Sequence, residues 1–338
     1  MFIHKRLIIS TIIFSTLFIF DSCNKTPVGL IDLNDGDYIM FIRNTNKNSE
    51  ICVMRSDGTD LKVITSSNKD KHGINAVNYW GGRWSPDKTK IILRSFPNEI
   101  SDYYPMYLID LDNPLKRTRL DEEGHEFVWS PSSTHIYYIT NQPWMNSTEI
   151  KKLDIFTDEK DVLWIEGYEG FNPLINYWYH LFDISSINVS SFLMHQQRIT
   201  YDTMGKLNIG EQDLILFNVL AEEKKYLANF NFNDQSVRLS PDGNYIAYMI
   251  PSDDVEGGQI HLMTVEGDSL KRLTSGENSY WYGHLAWSPD GTQITYSKIK
   301  QNTGGISPKE IYVLDLVTGI ETRLTENDTY NNIVIDWR

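Results

Sequence analysis

A chain of 338 residues with 41% apolar residues has ample material for a sizeable core, and no stretch of it is low in complexity. Its net charge of −14, with no cluster of Lys and Arg, argues against a nucleic-acid partner. Two cysteines, Cys23 and Cys52, are too few for a disulfide scaffold.

Residues 1–22 read as a targeting leader. Lys5 and Arg6 give it a positive start, and the apolar run Leu7–Phe20 is shorter than the ~20 residues that a membrane span needs. The run ends at Asp21-Ser22-Cys23, which resembles a bacterial lipobox. That resemblance implies lipidation at Cys23 and attachment to a membrane through the lipid, with 23–33 as a tether. Asn24 and Lys25 follow the cysteine with no Asp at that position, which points to the outer membrane of the cell envelope, facing the periplasm. Cys52 is then expected as a small buried hydrophobe in a strand.

From residue 34 onward, short β-type runs recur. Tyr38–Ile42, Lys90–Leu93, His135–Ile139, Tyr245–Met249 and Gln293–Tyr296 each follow a turn signal. A second run comes after a loop: Glu50–Met54, Met106–Asp110, Glu149–Asp154, Asp213–Phe217, Gln259–Met263 and Glu310–Asp315. A third follows a polar turn at Leu61–Thr65, Leu115–Leu120, Leu270–Thr274 and Glu321–Thr325. Many runs are apolar at consecutive positions, as in strands covered on both faces.

The turn signals are copies of one motif. Trp287-Ser288-Pro289-Asp290-Gly291 is the fullest. Trp84-Ser85-Pro86-Asp87, Trp129-Ser130-Pro131-Ser132 and Leu239-Ser240-Pro241-Asp242-Gly243 are variants. Proline presets φ at the first turn position, Asp or Ser bonds back to the local backbone, and Gly tolerates positive φ, so each copy is a hairpin turn. A hairpin turn recurring roughly every 50 residues is the signature of propeller blades. Marks at Trp84, Trp129, Phe182, Leu239, Trp287 and Trp337 predict an all-β, six-bladed β-propeller of four-stranded antiparallel blades over 34–338. Within 166–230 the strand order is degenerate, and either Val189–His195 or Arg198–Thr203 fits the second strand. Asp336-Trp337-Arg338 carries the first half of the turn motif and Asn34-Asp35-Gly36 the second half. The C-terminal strand is therefore expected to complete the first blade and close the ring.

This repeat resembles that of the TolB-like, WD40-like β-propellers over roughly 34–338. The class hosts many functions, so function has to be read from the loops. The segments leading into the innermost strand of each blade are rich in aromatics: Tyr79 and Trp80, Trp178 beside Tyr177, and Tyr280, Trp281 and Tyr282. The loops after the second strands add Tyr104 and Trp144. Aromatics with a polar handle suit a binding rim. The expected function is a monomeric, non-catalytic module that binds an envelope protein or peptide and needs no cofactor. The alternative is glycan recognition or a metal-assisted polysaccharide lyase. Gly124-His125-Glu126 and Gly283-His284-Leu285 loosely resemble the histidine cluster of the oligogalacturonate lyase propellers. That likeness implies a divalent metal on His125, His180 and His284. Asp32–Asp37 has an early Gly and lacks the twelfth-position Glu of a calcium loop, so it reads as a turn. Neither Gly-x-Ser-x-Gly nor His-Glu-x-x-His occurs.

Overall fold

The computed structural model describes residues 36–338 apart from 45–48, 67–77, 97–105, 122–125, 143–146, 167–174, 187, 202–206, 230–236, 253–256, 269–270, 275–279, 301–307 and 327–329. The described residues form six antiparallel sheets of four strands. Blade one contains β1 (Tyr38–Asn44), β2 (Ser49–Arg55) and β3 (Lys62–Ser66). Blade two is β4 (Asn78–Trp84), β5 (Lys90–Phe96), β6 (Met106–Asp110) and β7 (Asn113–Asp121). Blade three is β8 (Glu126–Trp129), β9 (His135–Gln142), β10 (Ser147–Asp154) and β11 (Lys160–Glu166). Blade four is β12 (Ile175–Ile184), β13 (Ser191–Tyr201), β14 (Leu207–Asn218) and β15 (Glu223–Asn229). Blade five is β16 (Val237–Leu239), β17 (Tyr245–Ser252), β18 (Gly257–Thr264) and β19 (Lys271–Arg272). Blade six is β20 (Tyr280–Trp287), β21 (Gln293–Lys300), β22 (Lys309–Asp315) and β23 (Glu321–Arg323). The last strand, β24 (Asn331–Trp337), returns to blade one and pairs antiparallel with β1. Tyr38 and Arg338 exchange backbone hydrogen bonds, N to O at 2.6 Å and 3.0 Å. The expected closure by the C-terminal strand is the one observed.

The first strands of neighbouring blades touch in succession, β24 to β4, β8, β12, β16, β20 and back to β24, so these six line the axis. The core is a ring of blade junctions, not a single centre. In β1, Tyr38, Met40 and Ile42 pack toward blade two, and Ile39 and Phe41 pack toward blade six. Period-two alternation with both faces covered makes Tyr38–Ile42 apolar at every position. Cys52 is fully buried in β2, as expected of a small hydrophobe. The residue ending each first strand always packs against the preceding blade: Trp84 with blade one, Trp129 with blade two, Leu239 with blade four, Trp287 with blade five and Trp337 with blade six.

The turn motif works through its serine. Ser85, Ser240 and Ser288 each donate Oγ to the Asp two residues on, at 2.6, 2.5 and 2.6 Å. Each also accepts the N–H that opens the second strand, at 2.9 Å. Gly243 and Gly291 occupy the left-handed position of the turn with φ of 71°, where a Cβ is unfavourable. Lys88 and Ser133 hold the same position at φ of 61° and 60°.

Blade four corrects one expectation. Its first strand ends at Ile184, two residues beyond Phe182, and the turn starts at Ser185. Ser185 N–H bonds Ser191 C=O, six residues ahead, where Ser85, Ser240 and Ser288 bond five ahead. This turn is one residue longer and has no proline, and β12 shifts register between Leu181 and Asp183. Its second strand, β13, takes parts of both candidate segments.

Candidate functional site

The disc has two faces. At one, the first strands end in the Ser-containing turns. At the other they begin, and there the sequence places its aromatics. Tyr79 and Trp80 lie at the start of β4, Trp178 near the start of β12, and Tyr280, Trp281 and Tyr282 at the start of β20. These are blades two, four and six, so at backbone level the three clusters alternate around one mouth of the axis. Tyr177, beside Trp178, is 39% exposed. Tyr104, Trp144 and His125 lie outside the described residues, as does the leader with Cys23.

Of the three predicted histidine ligands, two are described. His180 points its Nδ1 at Glu126 Oε1, 2.8 Å away, while Glu126 Oε2 accepts the Leu181 backbone N–H at 2.9 Å. Burial raises the Glu126 carboxyl. The His180 charge and hydrogen bond, with Arg94 and the Leu181 N–H, outweigh it and hold the group below the usual carboxylate range. His195 stacks on His180 at 5.6 Å and on Phe182 at 6.1 Å. Burial, with the His180 charge, pushes His195 down to about 4, against weaker opposition from Glu126 and Gln212. His284 sits in blade six at a bulge between Gly283 and Ala286, with φ of 55°. Burial pushes it down to about 3, with Lys309 and Arg238 adding to the effect. Among the described residues no group of three or more His, Cys, Asp or Glu is placed to hold a metal.

The opposite mouth is more fully defined, and the sequence reading passed over it. Its key residues stand one position before the end of each first strand. Going round from blade one, they are Asp336, Arg83, Val128, Asp183, Arg238 and Ala286. The order Asp, Arg, apolar repeats twice, an approximate two-fold within the six-fold disc. Hydrogen bonds follow the same repeat. Asp336 Oδ2 accepts the Trp84 N–H at 2.8 Å, and Asp183 Oδ2 accepts the Leu239 N–H at 3.3 Å. The other oxygens accept their own next N–H, Trp337 at 2.9 Å and Ile184 at 3.1 Å. Trp129 Nε1 donates to Arg83 C=O at 3.2 Å and Trp287 Nε1 to Arg238 C=O at 3.1 Å. Each of these ties, apart from the two carboxylate bonds to their own next N–H, joins one blade to the next.

Aligning the motif copies exposes this ring, because Arg83, Asp183, Arg238 and Asp336 share one register. Counting blade four from Phe182 hides it, since that places Asp183 out of line.

No known family profile matches the chain. A curated, uncharacterised protein from Agrobacterium fabrum is 38% identical over 96 residues, which is 28% of this chain and 29% of that protein. Among solved structures, TolB from Acinetobacter baumannii superposes with a TM-score of 0.62 at 15% identity, covering 89% of this chain and 66% of TolB. A TolB candidate from Agrobacterium tumefaciens gives 0.55 at 13% identity, over 89% of this chain and 98% of its own. A chain of a nidogen/laminin complex gives 0.54 at 9% identity, over 89% and 97%. The chain thus spans under two thirds of the Acinetobacter TolB and under a third of its curated relative. At these identities the likeness is one of fold, and the fold is a TolB-like six-bladed β-propeller.

Proposed function

We propose that the protein is a lipid-anchored component of the bacterial cell envelope that binds a protein or peptide partner on the aromatic face of its propeller. The observation that carries this reading is the position of the three aromatic clusters, at the starts of β4, β12 and β20, around one mouth of a closed ring. A closed ring holds such contact residues without an ordering cost on binding. Aromatic side chains supply large contact area with few rotatable bonds and dominate binding energy where they are desolvated. The nidogen/laminin complex supplies a precedent for this fold engaged with another protein. Cys23 provides the anchor, and several acyl chains at ~0.8 kcal/mol per buried CH2 make the attachment effectively permanent. The outer membrane, with the propeller in the periplasm, is the proposed location.

No metal or cofactor is part of this reading.

Two experiments test the proposal. Crosslinked pull-down from intact envelope recovers a defined partner with the wild type, and Trp281→Ala reduces that recovery about tenfold or more. Cys23→Ser releases the protein from the membrane fraction. A partner captured equally well after Trp281→Ala, together with Trp80→Ala, would remove the aromatic face from the explanation.

A further inference from the structure

The face that carries the Ser-containing turns is also where the chain joins the fold. Lys88 Nζ, in the turn of blade two, donates to the Gly36 carbonyl at 3.4 Å and lies 3.4 Å from Asp37 Oδ1. Twelve residues, 24–35, separate Cys23 from Gly36. At full extension that stretch spans about 45 Å.

The turns from the third to the fourth strand of each blade lie on the same face. In blades three, four and six, Ile155, Val219 and Leu316 donate their N–H to Thr134, Ser190 and Thr292 of the blade's own first turn, at 3.2, 2.8 and 3.0 Å. Leu111 and Val265 make the same bond in blades two and five. The next residue is the tip of the turn. In blades two and five it is acidic, Asp112 and Glu266. In blades three, four and six it is Phe156, Leu220 and Val317. The N–H of each of these three is held by the side-chain Oδ1 two residues back, on Asp154, Asn218 and Asp315, at 2.8, 3.1 and 3.0 Å. The tips are thus fixed in an outward position, 70%, 80% and 84% exposed. A lone exposed apolar side chain is ordinary. Here one repeated position accepts an acidic residue in two blades and a large apolar one in three, so the fold itself does not call for the apolar ones. Blade three stands opposite blade six in a six-membered ring, with blade four beside blade three. The apolar tips therefore lie on both sides of the axis.

We infer that the turn-side face rests flat on a phospholipid surface, with Phe156, Leu220 and Val317 inserted among the lipids and the aromatic mouth turned away from the membrane. The inference rests on the lipid anchor of the proposed function. The anchoring segment and the apolar tips share one face, and a tether this short keeps the bilayer at a high effective concentration. Three tips then suffice where a free protein would need a larger apolar patch. Exposed Asp112, Asp158, Glu222, Glu266 and Asp290 stand in turns of the same face and disfavour an anionic surface. The contact is therefore shallow and made with zwitterionic headgroups.

The test uses the mature lipidated chain, purified from membranes and reconstituted on phosphatidylcholine vesicles. Phe156→Cys, Leu220→Cys and Val317→Cys each carry an environment-sensitive fluorophore. Ile209→Cys, 54% exposed at the aromatic-side start of β14, is the control. Native Cys52 is fully buried and does not compete for the label. All four positions are exposed, so folding is expected to be unaffected. Vesicle flotation reports the anchor, and quenching by a nitroxide on the lipid acyl chains reports docking. Every variant is expected to float, with blue-shifted and quenched emission from the three tips and unquenched emission from Ile209→Cys. Leu220→Asp combined with Val317→Asp is expected to abolish quenching of labelled Phe156→Cys without loss of flotation. Flotation with no more quenching at the tips than at Ile209→Cys would overturn the inference and leave the anchor standing. So would quenching that the paired substitution does not reduce. Failure to float would remove the anchor and this orientation with it.

Discussion

His195 is 2% exposed and stacked between His180 and Phe182 in blade four. Its folded value near 4 lies below the ~6.5 of an unfolded histidine, so it folds in the neutral form. Between those two values the unfolded chain binds a proton that the folded chain does not. The contribution is thus fully present above about pH 6.5 and is lost as pH falls toward 4. At ~1.36 kcal/mol per unit it amounts to about 3 kcal/mol. His284, held near 3, acts in the same direction over a slightly wider window. Urea denaturation from pH 7 to pH 4 should show stability falling steadily, with a shallower slope in His195→Gln. A stability that stays flat across that range would show that His195 protonates without penalty. A second residue-scale effect concerns the turns. Gly291→Ala places a Cβ in ordinary van der Waals contact with Pro241 Cδ, at 3.8 Å, but at a φ of 71°. The loss should be backbone strain alone, about 1 kcal/mol by denaturant titration.

At the level of the element, β24 decides whether there is a ring at all. It supplies the innermost strand of blade one, and Asp336 ties that strand to blade two through the Trp84 N–H. Removing Asn331–Arg338 would open an edge on β1 and expose Tyr38–Ile42, which are buried on both faces. The truncated chain is expected to lose cooperative unfolding, and a sharp thermal transition near that of the full chain would mean that β24 is dispensable. This element was legible in the sequence because the turn motif is split between the two ends, Trp337 on one side and Gly36 on the other. The other well-read strands share that advantage: Ser, Pro and usually Asp mark the turn chemically, and the strand after it contains a run of mostly apolar residues. Blade four was legible only in part. Its turn has Ser185 but no proline and carries an extra residue, and its strand bulges at Leu181–Asp183, so no spacing rule located its end. The Asp and Arg ring was lost with it. A single charged residue before a turn looks solvated in sequence, and only the shared register of four such residues distinguishes them.

Taken whole, the molecule is a disc whose stability comes from six blade junctions and whose two faces differ in chemistry. One mouth gathers aromatic segments from alternating blades. The other carries the repeated Asp, Arg, apolar ring around a small cavity. Neither arrangement requires a metal, and a chelator is expected to leave the Tm of the purified protein unchanged. A fall in Tm on chelation, reversed by a divalent ion and absent in His284→Ala, would favour metal-assisted chemistry on a glycan instead. Sequence alone indicated the aromatic mouth, since tryptophan and tyrosine clusters at fixed places in a repeat are visible without coordinates. It did not indicate the second mouth, whose residues are distant in the chain and meet only when the ring closes.

The most direct measurement is site-specific photocrosslinking in living cells, with p-benzoylphenylalanine placed at Trp281 or Trp80 on the aromatic face. Phe156, 70% exposed in the turn between β10 and β11, serves as the control on the opposite face. A discrete higher-mass adduct from Trp281 and Trp80, and none from Phe156, is the expected result. Adducts from Phe156 with none from either tryptophan position would place the partner on the wrong face and contradict the proposed function.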